Sequence, residues 1–191
     1  YNGPADTLWR LSGLEMLAIS GPMALGADVT GRVSDPSIRG MLRTSGARIE
    51  SATTGTVLTN VQASGTFQGA RLQIQQFAAD AGKGGRVTGS GQFDFSAEAG
   101  IGLDLSLDAA HAVLINRDDI GATVTGPLRL HSSGNGGLIS GDVTLDRSRY
   151  RLGQASAATA VPQLRIREIN LPGGGEEEEA RTTPWRLDVH A

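Results

Sequence analysis

Apolar and small residues alternate with polar ones along nearly the whole chain. Leu17, Ile19, Gly21, Met23, Leu25, Ala27, Val29, Gly31 and Val33 occupy consecutive odd positions. Val57, Val61 and Phe67 share parity, Leu72 and Ile74 follow, and then come Val87, Gly89, Gly91, Phe93 and Phe95. The clearest run is Ile101, Leu103, Leu105 and Leu107, separated by Gly102, Asp104 and Ser106. Later runs are Val124, Leu128 and Leu130; Ile139, Val143 and Leu145; Leu164 and Ile166; and Trp185, Leu187 and Val189. Successive side chains of a strand point to opposite faces, so each run predicts a strand that is apolar on one side and polar on the other. Ten or more such strands predict an all-β fold. Only Leu8 to Leu17 is ambiguous, because Leu8, Leu11 and Leu14 also suit a helical turn.

The punctuation between runs agrees. Ser133-Gly134-Asn135-Gly136-Gly137 contains Asn-Gly, a pair that tolerates positive φ and favours a hairpin. Asp80-Ala81-Gly82-Lys83-Gly84-Gly85 is a similar breaker, Asp35-Pro36-Ser37 reads as a turn, and another is possible at Gly21-Pro22. Short connections favour antiparallel neighbours. A weak internal repeat relates Ile19–Leu25 to Val124–Leu130 and Val29–Val33 to Ile139–Val143, which suggests a sheet lengthened by adding strands. About 12 strands at ~4.8 Å spacing would span roughly 55–60 Å. Residues 1–191 read as a single fragment of a longer repetitive protein, starting at Tyr1 without Met.

Composition narrows the function. The chain has 27 Gly, only 4% aromatics and no Cys, which excludes disulfide and Cys-ligated metal frameworks. No stretch approaches the ~18 unbroken apolar residues of a membrane-spanning helix. A net charge of −3 argues against a nucleic-acid surface. The histidines His111, His131 and His190 form no ligand or catalytic spacing, and Asp118-Asp119 supplies too few oxygens for Ca²⁺. Gly82-Lys83-Gly84 lacks the flanking residues of a phosphate loop. Gly173-Gly174-Gly175 followed by Glu176 to Glu179 predicts a flexible acidic loop over 173–180. Arg147, Arg149 and Arg151 share one strand face, and Arg165 and Arg167 alternate with Leu164 and Ile166. That stripe reads as a solvated face or as a contact for lipid head groups or an acidic partner. No catalytic residues, metal or cofactor are expected.

Gly, Ala and Ser interrupt Leu, Ile and Val on the apolar faces, and this admits two readings. In one, small residues let two sheets pack closely. In the other, the sheet curls into a trough with an incompletely filled apolar lining, where each sheltered CH₂ of a guest contributes ~0.8 kcal/mol.

Particular residues then carry a family resemblance. Gly141-Asp142-Val143-Thr144-Leu145-Asp146-Arg147-Ser148-Arg149-Tyr150, Pro162-Gln163-Leu164-Arg165-Ile166-Arg167-Glu168 and Trp185-Arg186-Leu187-Asp188-Val189 resemble the C-terminal conserved domain of the TamB family. Asn116-Arg117-Asp118-Asp119 and the runs at Leu103–Leu107 and Val124–Leu130 extend the resemblance, which covers about Leu17 to Ala191. It implies an elongated, curved, mostly antiparallel sheet, a β-taco with an open hydrophobic groove. It implies a periplasmic segment of an inner-membrane-anchored protein whose anchor lies elsewhere. It further implies a TamA/Omp85-type outer-membrane barrel as partner, docked through regions past this fragment, and a role in outer-membrane protein assembly or phospholipid transport. The Gly173–Glu179 loop departs from the family pattern as an insertion.

The expected function is therefore a non-enzymatic translocation and assembly module segment. Its groove would be lined by Leu25, Val29, Val61, Phe67, Ile74, Phe95, Leu103, Leu105, Leu128, Val143, Leu145 and Leu187, and would hold phospholipid acyl chains or unfolded β-strands. The alternative is an autotransporter or adhesin-like β-solenoid. A polysaccharide-acting β-helix is disfavoured, because the acidic residues are scattered.

Overall fold

The computed structural model describes residues 1–7, 17–32, 35–96, 100–134, 136–151 and 185–190. Among the described residues twelve strands form one open sheet. They are β1 (Asn2–Pro4), β2 (Leu17–Ser20), β3 (Pro22–Arg32), β4 (Asp35–Ser51), β5 (Val57–Gly69), β6 (Arg71–Asp80), β7 (Arg86–Asp94), β8 (Ile101–Asn116), β9 (Ile120–Gly134), β10 (Gly136–Asp142), β11 (Thr144–Tyr150) and β12 (Arg186–His190). From β3 to β10 each strand pairs antiparallel with the next in sequence, as short connections favour. β1 flanks β3, β2 flanks β4, and β11 flanks β9. The exception to antiparallel pairing is β12, which lies parallel to β10. Strands that follow each other edge to edge do not stack as rungs, so the described residues are not a solenoid.

Three local expectations need correction. Asp35-Pro36-Ser37 is not a turn: these residues open β4, with Asp35 opposite Arg32 and Pro36 opposite Gly31. Proline is tolerated there because it sits at the start of the strand. Gly21 (φ 98°) does not reverse the chain, since β2 and β3 on either side of it both run along β4. The internal repeat is not structural either. Met23 to Arg32 lie in one strand, whereas their counterparts are split between the two arms of the β9–β10 hairpin. Glycine-punctuated alternation suits any strand, so similar strings arise without equivalent positions. Residues 8–16, Leu164, Ile166, Arg165, Arg167 and the acidic loop lie outside the described residues.

The sheet is bent by bulges. Register slips occur at Ser45/Ala47 in β4, Thr59/Gln62 in β5, Ile74/Phe77 in β6 and Ala109/Ala112 in β8. Gly46, Asn60 and His111, at three of these slips, have φ of 88°, 50° and 49°. An extra residue on one strand increases twist and bends the strand there. Beyond the bulges the β4–β5 turn passes over the β6–β7 hairpin, whose strands are shorter, and reaches β8. The Thr56 Oγ1 hydroxyl donates to the Leu114 carbonyl (2.5 Å), Asn116 N–H donates to the Thr54 carbonyl (2.9 Å), and the Arg117 guanidinium donates to the Thr53 carbonyl (3.3 Å). Leu58 of β5 packs in the same cluster as Ala112 and Leu114 of β8. Because β6 and β7 separate those strands in the sheet, it curls around its apolar side at this seam.

The core lies in the resulting crease and is built from small residues. Ala47, Ala79, Ala81, Val61, Val87, Ala109 and Ala112 are all at most 3% exposed. Alanine and valine fill the innermost positions of the bend, and the larger Leu58, Phe77 and Leu114 pack against them from its margins.

Candidate functional site: one apolar face and one polar face

Cross-strand partners share a face, so the register maps both sides of the sheet directly. At one level the row reads Leu25, Leu42, Gly65, Ile74, Gly91, Leu105, Leu130, Ile139 and Leu187. The adjacent apolar row reads Ala27, Gly40, Phe67, Leu72, Phe93, Leu103 and Ser132. Between them, on the other face, lies Gly26, Met41, Thr66, Gln73, Gln92, Asp104, His131, Leu138 and Arg186. One side is apolar across nine strands; the other is largely polar.

The residues expected to line a groove fall on the apolar side. Leu25, Ile74, Leu105 and Leu187 occupy the first row, and Phe67 and Leu103 the second. Phe95 follows Phe93 in phase and stacks against Phe67, with ring centroids 6.3 Å apart and planes at 29°. Leu128 pairs with Leu107, Leu145 pairs with Val124, and Val143 joins Leu128 in the core cluster. Val61 lies in the crease beside Ala47 and Ala79. Val29 holds the register opposite Ile38. The side chain of Val29 lies outside the described residues.

Exposure grades along this face. Val61 is 2% exposed in the crease, and Ile74 and Leu128 are each 8% exposed. Phe95 at the opposite rim and Leu145 and Leu187 at the last strands are exposed, Leu187 at 74%. Glycines do not simply leave gaps in the rows. A Cβ on Gly91 would lie 2.8 Å from Leu105 Cδ2, so the leucine already leans over the glycine. Sequence reasoning missed the alanines of the crease; the bulges bring them inward, and simple alternation does not reveal a bulge.

Two clefts open on the polar face. One, of about 810 Å³, crosses β3 to β7. Its walls come from triplets such as Arg43-Thr44-Ser45 and Gln62-Ala63-Ser64, whose outer members belong to the polar face. The other, of about 270 Å³, lies among Gln92, Asp94, Asp104, His131 and Ser133.

Polar chemistry elsewhere ties strands together. The Thr125 hydroxyl of β9 donates to Asp146 Oδ2 of β11 (2.6 Å), and His111 Nδ1 of β8 lies 2.9 Å from the same oxygen. The Thr125 hydroxyl in particular holds the Asp146 carboxyl below its usual range. Asp94 is lowered to about 2 by the hydroxyl and N–H of Ser96, then by Arg71. Among the described residues no group of three or more His, Cys, Asp or Glu is placed to hold a metal ion. Arg147 and Arg149 pair with Thr123 and Gly121 and are exposed. No helix among the described residues is long and apolar enough to cross a membrane.

Comparison with known proteins adds one finding. The family model of the TamB C-terminal domain matches residues 73–189, from within β6 to β12. No curated protein and no solved structure matches the chain. The two rows of apolar residues run from the matched region into β3, β4 and β5. With more than half of its length matched, the chain belongs to the TamB family.

Proposed function

We propose that this chain is a periplasmic segment of a TamB conduit, in which the apolar face shelters phospholipid acyl chains in passage between the inner and outer membranes. Membership of the family gives the chain a TamB-like role in the translocation and assembly module. The finer reading rests on one observation: apolar rows continue across nine strands on one side of a sheet that curls toward that side. A passive shelter needs nothing more, since each CH₂ removed from water contributes ~0.8 kcal/mol. The membrane anchor and the contact with a TamA/Omp85-type barrel are assigned to parts of the protein outside this chain. No catalytic step is assigned, and the TamB family is a structural and transport module.

Photo-crosslinking in the full-length protein tests the acyl-chain reading. A probe at Leu105 should capture phospholipid, and one at Gln73, on the opposite face, should not. Leu105→Asp should reduce lipid captured from a second probe at Leu103 by at least tenfold. Equal capture from both faces would overturn the reading.

One observation favours a second cargo. Among the described residues β12 pairs with β10 alone, so its outer edge presents backbone groups beside the exposed Leu187. An outer-membrane protein strand in transit would add to that edge. Capture of such a protein, rather than lipid, at Leu187 would favour strand addition.

A further inference from the structure

We propose that the polar face carries a separate site for an extended anionic glycan, in the cleft that crosses β3 to β7 past Arg43. The cleft is a trough of about 810 Å³. Among the described residues no Asp or Glu lines it. Arg43 is its one charged side chain and has no ion-pair partner among the described residues. The rest of the polar wall consists of amides and hydroxyls, notably Gln62, Gln75, Gln76, Thr88 and Ser90.

This chemistry selects among ligands. The backbone beneath the cleft is already paired in the ladders of β3 to β7, so a peptide strand gains no main-chain bonds there. Met23, Ala24, Ala63, Phe77 and Ala78 add apolar surface between the polar groups, which suits the C–H faces of sugar rings. Glutamine amides both donate and accept, as sugar hydroxyls do. A guanidinium presents a fork that matches a carboxylate. Five strands at ~4.8 Å spacing make the trough roughly 19 Å long, which suits a chain better than a compact phosphate headgroup. The ligand class is therefore a polysaccharide bearing carboxylates, laid across the strands.

Titration of the full chain with a tetramer of uronic acid, followed by side-chain amide NMR and calorimetry, tests the proposal. The resonances of Gln62, Gln75 and Gln76 should shift, and Arg43→Gln should weaken binding at least tenfold. Arg129→Gln, on the same face but outside the cleft, should leave affinity unchanged. Gln76→Ala provides a second variant should Arg43→Gln not fold. The proposal is overturned if a neutral tetrasaccharide binds as tightly, if glycerol phosphate gives the same shifts, if Arg129→Gln weakens binding equally, or if the uronate tetramer does not bind at millimolar concentration. The readout is independent of lipid capture on the opposite face, so either reading can fail alone.

Discussion

Gly55 sits at the tip of the β4–β5 turn with φ 66°, and a Cβ there would lie 2.2 Å from the Asn116 carbonyl oxygen. Gly69 has almost the same φ, 67°, with nothing within 4 Å. The pair separates backbone strain from collision. Gly69→Ala should cost about 1–2 kcal/mol, the penalty of a left-handed L-residue. Gly55→Ala should cost more, because the seam must also part; urea unfolding of both variants measures the difference. Asp94 gives a second test at this scale. Its folded pKa, about 2, lies below the ordinary 3.8, because Ser96 and Arg71 favour the carboxylate. The stability it contributes is complete above pH ~3.8 and lost as pH falls through about 2. Carboxyl NMR should place its midpoint near 2, and Asp94→Asn should remove that part of the acid sensitivity.

At the scale of the element, burial separates the crease from the outer strands. Ala112 is 0% exposed, so Ala112→Leu should overpack the bend and destabilise by roughly 1–3 kcal/mol. Leu145, on the short strand β11, is 45% exposed, and Leu145→Ala should change stability by only about 0.5 kcal/mol. Thermal unfolding of the two variants checks the contrast. The strands and their faces were legible in the sequence because a two-residue period is a local property. The bulges were not. Continuing the parity of Leu105, Leu107 and Ala109 would turn His111 inward, yet the slip at Ala109/Ala112 brings Ala112 inward and leaves His111 exposed. Ile74 and Phe77 break phase in the same way. A bulge depends on partners brought from distant segments, and no periodicity within one strand encodes it. The small residues do not pack two sheets together, since there is one: the alanines permit close approach at the crease of a single sheet, while Gly65 and Gly91 stand among larger apolar residues in the rows.

Across the whole molecule, each strand meets chiefly its neighbours, as in repeat proteins. Stability should then decline from the middle of the sheet toward its ends rather than vanish in one step. Hydrogen exchange should show the slowest amides in β7, β8 and β9, and the fastest in β1 and β12. Uniform protection across all strands would contradict that picture. Asn116 N–H, bonded to Thr54 across the seam, should exchange faster in Thr56→Val while the amides of β10 keep their rates.

The seam also makes the two borders of the ribbon unequal. Hairpin tips knit together along one hem, and among the described residues no such knitting runs along the other. Adding a hairpin at either end lengthens the span without touching the bend, and shifting the bulges along the strands moves the curl without altering the span. Reach and curvature are thereby set by different residues, so one can be adjusted without disturbing the other.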